Sequence, residues 1–513
     1  MGGAGELHGS AEAVRDREVS LSFAELAEQV ARAARATIAA GVGPRDRVAI
    51  WAPNSVEWMI AALGAVSAGA VLVPLNTRYQ GAEAADILDR SGARLLLTVR
   101  GFLDTDYVAM LRGTGVALPE LRQIVLLQGP AGEGAGSFEE HLAAGADVEP
   151  AEALARREAL GPDDVSDLIY TSGTSGRPKG VLCTHGQTLR VFEVWADVVG
   201  LRAGDRYLVV NPFFHTFGYK AGVIACLLTG ATVLPEAVFD APRVLSRVAR
   251  ERVTVLPGPP TLFSSLLAVP GRAAADTASL RLAVTGAAVV RVELVRRVRA
   301  ELGVETVLTA YGLTEATGVV TMCRRGDDDE LVAGTSGRAI PDTEVAVVDA
   351  EGTSLPPGTP GEVVTRGYHV MRGYVDDPVA TAAAVDPAGW LHTGDVGVLD
   401  AAGNLAITDR LKDMYVVGGF NAYPAEVERV LATYPGVADV AVVGIPDERL
   451  GEVGAAFVVP AAGAALDTAA LLAWARERLA GFKVPRSVVL LDALPRNAGG
   501  KVVKFQLREG ISA

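Results

Sequence analysis

The stretch DLIYTSGTSGRPKG, residues 167–180, decides the fold prediction. Asp167–Tyr170 leads in as a short strand, and the next ten residues contain four hydroxyl side chains, three glycines and a lysine. Glycines let backbone N–H groups approach phosphate oxygens, hydroxyls donate further hydrogen bonds, and Lys179 supplies positive charge. A Ser/Gly linker would not usually lie between an apolar strand and a Pro-Lys-Gly sequence. The stretch therefore predicts an anion-binding loop after a strand, and it is not a Walker A loop because no Gly-Lys-Ser/Thr triplet occurs.

Short apolar runs alternate with helical patterns on both sides of this loop. Ser22 and Glu25 form a capping box, which predicts the start of a helix. The strand-like runs are Val48–Trp51, Val71–Val73, Leu95–Val99, Ile124–Leu127, Tyr207–Val210, Val253–Leu256, Leu282–Val284 and Thr306–Leu308. Short apolar strands between helices indicate parallel sheets covered by helices on both faces.

Two short stretches bear on how the chain is organised. Trp58–Leu75 is uncharged and has about the length of a membrane span, but glycines and Pro74 divide it, so we predict a buried helix and a strand. Residues 68–74 also resemble residues 229–235. Two related α/β layers would explain this similarity, and chance stays an alternative because Gly and Ala are common in the chain.

The sequence pattern changes after about Gly334, where Gly and Pro residues separate short β-rich runs. A last α+β unit follows. The predicted fold is α/β, with a large N-terminal domain over residues 1–410 and a smaller α+β C-terminal domain over residues 411–513. We expect the large domain to contain two doubly wound α/β subdomains over about residues 1–330 and a small β-barrel over about residues 331–410.

Composition limits the function classes. The chain of 513 residues has 47 basic and 61 acidic residues, a formal net charge of −14, which argues against a general nucleic-acid or anionic-membrane binder. Small anionic ligands stay open, since they need only a few local cations. Cys183, Cys226 and Cys323 are too scattered for a disulfide framework or a zinc site. No signal peptide or membrane span is predicted, so a cytoplasmic location is expected.

Five further motifs follow the phosphate loop in order along the chain. They are Gly286-Ala287-Ala288, Tyr311-Gly312-Leu313-Thr314-Glu315, Thr393-Gly394-Asp395, Asp409-Arg410-Leu411-Lys412-Asp413 and the PRNAGGK stretch that ends at Lys501. Together with the phosphate loop, these motifs resemble the adenylate-forming superfamily, which includes acyl-CoA synthetases, aryl-CoA ligases, adenylation domains of peptide synthetases and firefly luciferase. The resemblance covers nearly the whole chain. Asp409, where many members have Gly, and Gly499, where Ser or Thr is common, are departures that do not threaten adenylation.

The resemblance implies a reaction in two halves. A carboxylate first attacks the α-phosphate of ATP to give an acyl-adenylate and pyrophosphate, and the thiol of CoA then displaces AMP. ATP, Mg²⁺ and CoA are the implied cofactors and co-substrates. Negative charge accumulates at the α-phosphate, so cations and fixed donors there should dominate catalysis.

The resemblance also implies roles for individual residues. The catalytic residues would be Lys501, Thr314, Glu315 and His215, with Glu315 and Thr171 as metal ligands. The ATP-binding residues would be Thr171, Ser172, Gly173, Thr174, Ser175, Gly176, Lys179, Gly286, Ala287, Ala288, Ala310, Tyr311, Gly312, Leu313, Asp395 and Arg410. The acyl pocket would include Phe214, His215, Phe217, Tyr219, Gly286 and Gly312. Lys412 would be the hinge about which a mobile C-terminal domain rotates between the two half-reactions. Gly418, Gly419 and Phe420 would line the CoA entry.

Several stretches, among them Phe213–Gly222 and Asp409–Glu428, are similar to actinobacterial ligases that act on polycyclic acids from steroid-ring degradation. This similarity suggests a bulky alicyclic, steroid- or terpenoid-derived carboxylic acid as substrate. One alternative is an enzyme that passes its acyl-adenylate to a carrier protein or a separate transferase, and another is a medium- or long-chain fatty acyl-CoA ligase. A non-catalytic binding protein is disfavoured because the catalytic groups are all present. A homodimer stays open.

Overall fold

A computed structural model of the chain describes residue 5, residues 7–132, 134–171, 178–271, 277–286, 290–410, 414–461, 463–495, residue 502 and residues 504–509. Within these residues the chain forms four β-sheets with helices around them, as the predicted α/β fold requires. The helices are Phe23–Ala39, Val56–Ser67, Gly81–Ser91, Tyr107–Arg112, Phe138–Ala144, Pro150–Glu158, His185–Val199, Thr216–Gly218, Ala225–Thr229, Ala241–Glu251, Pro260–Leu267, Val292–Leu302, Asp329–Gly334, Pro378–Ala384, Pro424–Leu431, Thr468–Arg476 and Lys504–Glu509. Gly145–Asp147 and Thr314–Ala316 form single 3₁₀ turns, and Tyr219–Ile224 is a π-helical segment.

The first sheet has nine strands and a parallel centre. Its strands, in spatial order, are Arg338–Ala339, Thr321–Met322, Thr306–Tyr311, Leu282–Gly286, Val255–Pro257, Arg206–Val209, Thr232–Pro235, Glu12–Asp16 and Val19–Ser22. The strands from Thr306–Tyr311 to Glu12–Asp16 pair in parallel, and the edges are antiparallel.

The second sheet also has nine strands, and it carries the predicted strand before the phosphate loop. In spatial order its strands are Gly373–Tyr374, Lys179–Thr184, Val165–Thr171, Val71–Pro74, Arg47–Trp51, Ala93–Phe102, Gln123–Gln128 and Gly136–Ser137, with Thr105–Asp106 paired to Ala93–Phe102. The strands on either side of the phosphate loop are antiparallel, with Lys179 opposite Thr171.

The similarity between residues 68–74 and 229–235 reflects equivalent positions in the two sheets. Val71–Pro74 lies beside and parallel to Arg47–Trp51 in one sheet, as Thr232–Pro235 lies beside Arg206–Val209 in the other. An aspartate precedes the first strand of each pair, and its carbonyl accepts the first N–H of the second strand, at 2.8 Å in one sheet and 2.7 Å in the other. Two related α/β layers therefore account for the similarity.

Hydrophobic burial explains why these elements form. The capping box of Ser22 and Glu25 starts the helix Phe23–Ala39 as predicted. Trp58 and the rest of the uncharged stretch form a buried helix, Val56–Ser67, and the buried strand Val71–Pro74. Among the described residues, no helix is both long and apolar enough to cross a membrane. The three cysteines are all buried and unpaired.

The remaining two sheets are smaller. The subdomain predicted as a small β-barrel is a four-stranded antiparallel sheet of Thr343–Val348, Gly361–Gly367, Leu391–Leu399 and Leu405–Arg410, in that spatial order. The C-terminal unit has a five-stranded sheet of Phe420–Ala422, Tyr415–Val417, Gly451–Pro460, Val437–Asp447 and Ser487–Leu490. The helices Pro424–Leu431 and Thr468–Arg476 belong to this unit, in agreement with its predicted α+β class.

Candidate active site

The predicted site residues of the first sheet lie at the carboxyl ends of its parallel strands. Gly286 ends one strand and Tyr311 ends its neighbour, with Gly286 paired to Ala310. His215 follows the parallel strand Arg206–Val209 on the same sheet. Ligands of open α/β sheets bind at this edge, because strand ends leave loops that can surround a ligand.

Two glycines at this edge are required by close backbone packing. A Cβ atom at Gly286 would lie 2.5 Å from the carbonyl oxygen of Ala310, and one at Gly312 would lie 2.1 Å from that of Gly318. Neither position can accept a side chain without a shift of the backbone. The motif glycines therefore keep this part of the edge as bare backbone that a ligand can approach.

Glu315 connects the two large sheets. The hydroxyl of Thr171, at the end of the strand before the phosphate loop, donates to the Glu315 carboxylate at 3.4 Å. The hydroxyl of Tyr374 donates to the same oxygen at 2.9 Å. The ammonium of Lys179 lies 4.8 Å from the centre of the Tyr374 ring, a cation–π arrangement. Burial raises the pKa of Glu315, and the hydrogen bonds and the Lys179 charge oppose that shift without cancelling it.

These donors fit Mg²⁺ better than a metal held by protein alone. Thr171 and Glu315 offer hard oxygen ligands, but no cluster of three or more His, Cys, Asp or Glu side chains occurs in the part of the chain that the structure describes. Mg²⁺ commonly binds through one or two carboxylates together with substrate phosphates. One buried carboxylate and one hydroxyl beside a phosphate loop suit an ion that arrives with a nucleotide.

Asp395 lies on the small antiparallel sheet and reaches the first sheet. The Tyr311 hydroxyl donates to its carboxylate at 2.6 Å. Asp395 pairs with Arg410 across neighbouring strands, so the two motifs that carry them are adjacent in the backbone. The Tyr311 and Asp395 motifs, separate in sequence, thus meet at one place.

His215 caps the short helix Thr216–Gly218. Its Nδ1 accepts a hydrogen bond from the N–H of Phe217 at 3.2 Å. The His215 side chain is solvent-accessible. The protein around the ring still disfavours the charged form by desolvation and lowers the pKa of His215 to about 4. The imidazole is therefore neutral near pH 7.

Asn54 holds the loop that leads to His215. Its amide nitrogen donates to the carbonyl oxygens of Val209 at 3.1 Å and Asn211 at 2.9 Å. Its carbonyl oxygen accepts from the N–H of Phe213 at 2.7 Å. This buried side chain therefore fixes the course of the loop from the end of the strand to the residues before His215.

The aromatic residues predicted for the acyl pocket lie in different environments. Phe217 is partly exposed, whereas Phe214 is buried. Tyr219 is 4% exposed and packs on Trp58, with ring centroids 5.3 Å apart, so it belongs to the core between the elements. Phe217 is thus the more accessible of these rings, and Tyr219 packs behind the loop.

The predicted CoA-entry residues contact the large domain. A Cβ atom at Gly419 would lie 3.6 Å from the Cβ of Pro259, and Gly418 and Gly419 have positive φ angles of 55° and 86°. The guanidinium of Arg78 lies 4.2 Å from the centre of the Phe420 ring.

A buried ion cluster joins the same two domains. Lys483 of the C-terminal unit donates to Glu83 of the large domain at 2.8 Å and to Glu426 of its own unit at 2.7 Å. Its side chain is 2% exposed. Burial alone would lower the pKa of Lys483, but the two carboxylates outweigh burial and raise it. The charge therefore persists at the interface.

Some predicted residues lie outside the described part of the chain. These are Ser172, Gly173, Thr174, Ser175, Gly176, Ala287, Ala288, Lys412 and Lys501, together with the side chain of Arg410. Thr314 and Leu313 are described, and the 3₁₀ turn that starts at Thr314 directs Glu315 toward Thr171.

The sequence reasoning missed four contributors: Tyr374, Asn54, Glu83 and Lys483. Tyr374 follows Gly373 in a β-rich stretch, and no spacing rule connects it to Glu315. The other three act through tertiary contacts that no contiguous motif encodes. A buried lysine has no signature in sequence except an apolar neighbourhood, such as the Phe482-Lys483-Val484 context here.

Comparison with known proteins agrees with this geometry. Residues 4–375 match the model of the AMP-binding enzyme family, and residues 426–501 match the model of the AMP-binding enzyme C-terminal domain. A relative from Mycobacterium tuberculosis is 55% identical over 485 residues, 94% of this chain and 93% of the relative. A relative from Rhodococcus jostii is 51% identical over 504 residues, 98% of this chain and 96% of the relative. Both are named as CoA ligases for a 7a-methyl-1,5-dioxo-octahydro-1H-inden-4-yl propanoyl group.

A solved structure has the same overall architecture. It is an o-succinylbenzoate CoA synthetase from Bacillus subtilis bound with a product analogue, and it aligns with a TM-score of 0.84 at 29% identity, covering 99% of this chain and 97% of that chain. The fold and the activity class predicted from the motifs, an acid–thiol ligase of the adenylate-forming type, are confirmed. The chain belongs to the AMP-binding enzyme family.

Proposed function

We propose that this protein activates a bicyclic, keto-substituted alicyclic propanoate with ATP and transfers the acyl group to CoA. The proposed substrate class is supported by sequence identity: the chain is 55% and 51% identical, over nearly its full length, to two ligases named for such an acid. The edge of the first sheet supports the proposal: Gly286 and Gly312 leave bare backbone there, and Gly312 packs on Gly318, whose Cβ position lies 3.1 Å from the Cβ of Thr216, the residue after His215.

In the first half-reaction, a carboxylate oxygen of the acid attacks the α-phosphorus of ATP and the bond to the bridging oxygen breaks, so pyrophosphate leaves. Glu315 and Thr171 would hold the Mg²⁺ that accompanies ATP and offsets phosphate charge. Thr314 would contact the α-phosphate, and Asp395, already fixed by the Tyr311 hydroxyl at 2.6 Å, would accept bonds from the ribose hydroxyls. Lys501 is our proposed cation for the developing charge.

In the second half-reaction, the CoA sulfur attacks the acyl carbonyl carbon and AMP leaves with the electron pair of the broken C–O bond. Gly418, Gly419 and Phe420 would line the thiol entry. Two contacts support this proposal: Gly419 lies against Pro259 and Phe420 lies under Arg78, so the segment faces the large domain. Rotation about Lys412 would exchange this arrangement for one that brings Lys501 to the phosphate.

A panel of acids tests the proposal. The purified protein is incubated with ATP, Mg²⁺, CoA and one acid at a time: the bicyclic propanoate, a monocyclic cyclohexyl propanoate, ferulate, and fatty acids of medium and long chain. AMP release and the acyl-CoA mass are measured. We expect kcat/KM at least about tenfold higher for the bicyclic acid, since a few apolar contacts differ.

The other outcomes are also informative. A preference for fatty acids would contradict the substrate class but not the reaction. Acid-dependent pyrophosphate exchange without acyl-CoA would instead favour transfer to a carrier protein or a separate transferase. No exchange with any acid would contradict the activity itself.

A further inference from the structure

Lys220 and Asp167 form an ion pair inside the large domain. Their charged atoms, Nζ and Oδ1, lie 2.9 Å apart, and the side chains are 0% and 1% exposed. Burial alone would lower the pKa of Lys220, but interactions with its neighbours, the Asp167 charge foremost, outweigh burial and raise it, so Lys220 stays charged. The other carboxylate oxygen of Asp167 accepts from the hydroxyl of Ser166 at 2.7 Å.

Stability alone does not explain a pair in this place. Removing two charges from water is costly, and replacement of a buried ion pair by apolar side chains of similar size is often neutral or stabilising. A pair that is retained under this cost can instead specify how the elements that carry it are arranged. The location of each partner therefore matters.

The two partners lie on elements that carry residues from both sides of the proposed site. Asp167 is on the strand Val165–Thr171, whose last residue contacts Glu315. Lys220 is on the helical stretch that begins directly after His215 and continues through Tyr219–Ile224. One partner thus belongs to the phosphate side of the site and the other to the acid side.

A third segment meets the pair through Cys183. The Cys183 side chain interacts electrostatically with Lys220 and Asp167, and its thiol donates to the carbonyl oxygen of Thr314 at 3.9 Å. The turn that starts at Thr314 also packs on the helix after His215, because the Cβ position of Gly318 lies 3.1 Å from the Cβ of Thr216. The pair is therefore central to the three segments that carry Thr171, Thr314 and His215.

We propose that Asp167 and Lys220 are positioning residues that align the acid with the α-phosphate of ATP. Neither touches a substrate; they act through the strand and the helix that they connect. The inference rests on the proposed function. The proposal has a specific consequence for the two half-reactions. The pair should affect the rate of adenylation, in which acid and ATP are separate molecules, much more than the rate of thiol transfer, in which a covalent bond already joins the acyl group to AMP.

The test variant removes both charges with side chains of similar volume, D167L/K220M. Because loss of alignment by about 1 Å can cost about a hundredfold in rate, we expect kcat for acid-dependent pyrophosphate exchange to fall about 10–100-fold. KM for ATP and for the acid should stay within about threefold, since the binding contacts remain. Thioester formation from supplied acyl-adenylate and CoA should also stay within about threefold.

The matched control is R281M/D205L. Arg281 and Asp205 form an ion pair in the first sheet, at the amino ends of its strands and away from the site. Asp205 also accepts from the N–H of Arg202 and the hydroxyl of Thr254, so loss of this pair should lower the melting temperature while both half-reactions stay native in the folded enzyme. A fall of kcat by the same factor in both half-reactions of D167L/K220M, or no fall in either, would overturn the proposal.

A second variant covers the case in which D167L/K220M does not fold. D167N/K220M keeps the shape of Asp167 and an acceptor for Ser166 and leaves no unpaired buried charge, and it should show the same asymmetry between the half-reactions. A native kcat for pyrophosphate exchange in folded D167N/K220M would likewise overturn the proposal. Failure of the native enzyme to form any thioester would count against the proposed function instead, so the two failures are distinguishable.

Discussion

Glu315 is a carboxylate whose burial disfavours its own ionised form. Two hydroxyl donors, Thr171 and Tyr374, and the charge of Lys179 offset only part of that effect, so its pKa stays above the ordinary 4.5. An ionised group in such a place costs stability in the absence of a cation that neutralises it. Its geometry suits a cation ligand better than a structural role.

Replacement of Glu315 by Gln should separate stability from activity. A carboxyl whose folded pKa is raised contributes stability below its unfolded pKa, near 4.5, and that contribution is lost as pH rises through the folded pKa. Without nucleotide and Mg²⁺, Glu315→Gln should therefore melt no lower than the native protein at pH 8, and its relative advantage should shrink as pH is lowered. Adenylation should fall about 10²–10³-fold.

Tyr374→Phe is the companion variant. It removes a hydrogen bond that favours the ionised carboxylate but keeps the ring under Lys179, so half-maximal adenylation should need more Mg²⁺. Native activity of Glu315→Gln across a Mg²⁺ titration would contradict its assignment as a metal ligand.

At the scale of elements, one side chain sets the course of a whole loop. Asn54, which precedes the helix Val56–Ser67, bonds three backbone groups between Val209 and Phe213. Ser55, its neighbour, caps its own helix by accepting from the N–H of Trp58 at 3.2 Å. The two adjacent residues thus serve different elements.

Asn54→Ala should lower both the stability of the protein and its affinity for the acid. Without the Asn54 side chain, its buried backbone partners are left unsatisfied, which should lower the free energy of unfolding by about 1–3 kcal/mol. Because the loop carries His215, KM for the acid should rise while KM for ATP stays native. Ser55→Ala is the control: it should lose about 1 kcal/mol as a helix cap without a change in either KM. Equal rises of both KM values in Asn54→Ala would contradict the loop's assignment to the acid side.

At the scale of the whole molecule, the C-terminal unit is docked by polar as well as apolar contacts. Lys483 joins Glu83 and Glu426 across the interface, and Arg78 covers Phe420. If this is the arrangement for thiol transfer, adenylation requires the interface to open.

A disulfide between the two domains should trap that arrangement. In the Gly419→Cys/Pro259→Cys variant the Cβ atoms would lie 3.6 Å apart, within the range of about 3.5–4.5 Å for disulfides. The oxidised enzyme should lose acid-dependent pyrophosphate exchange, and reduction should restore it. Pro259→Cys alone, oxidised in the same way, should stay active. Full exchange in the cross-linked enzyme would show that adenylation does not need the rotation about Lys412.

The sequence predicted those features that contiguous residues encode. The strands, the capping box at Ser22 and the motif order were recognisable because each depends on neighbours in the chain or on periodic burial. The contacts of Glu315 with Tyr374 and of Lys483 with Glu83, 59 and 400 residues apart, depend on topology. Tyr219, predicted as a pocket wall, packs on Trp58, and the sequence does not distinguish core packing from a pocket position, because an aromatic side chain beside a site motif gives the same signal in either place. The roles of Lys501 and Lys412, a homodimer and a cytoplasmic location stay predictions.

The burial of the cysteines has a consequence for chemical selectivity. An acyl-adenylate is an acylating agent that any nearby thiolate could capture, and Cys183 lies just behind the Thr314 turn. Burial raises the pKa of Cys183 to about 11 and also raises those of Cys226 and Cys323, so their reactive thiolate forms are scarce at neutral pH. These thiols are therefore poor competitors for the activated acyl group, which favours its transfer to the sulfur of the incoming co-substrate.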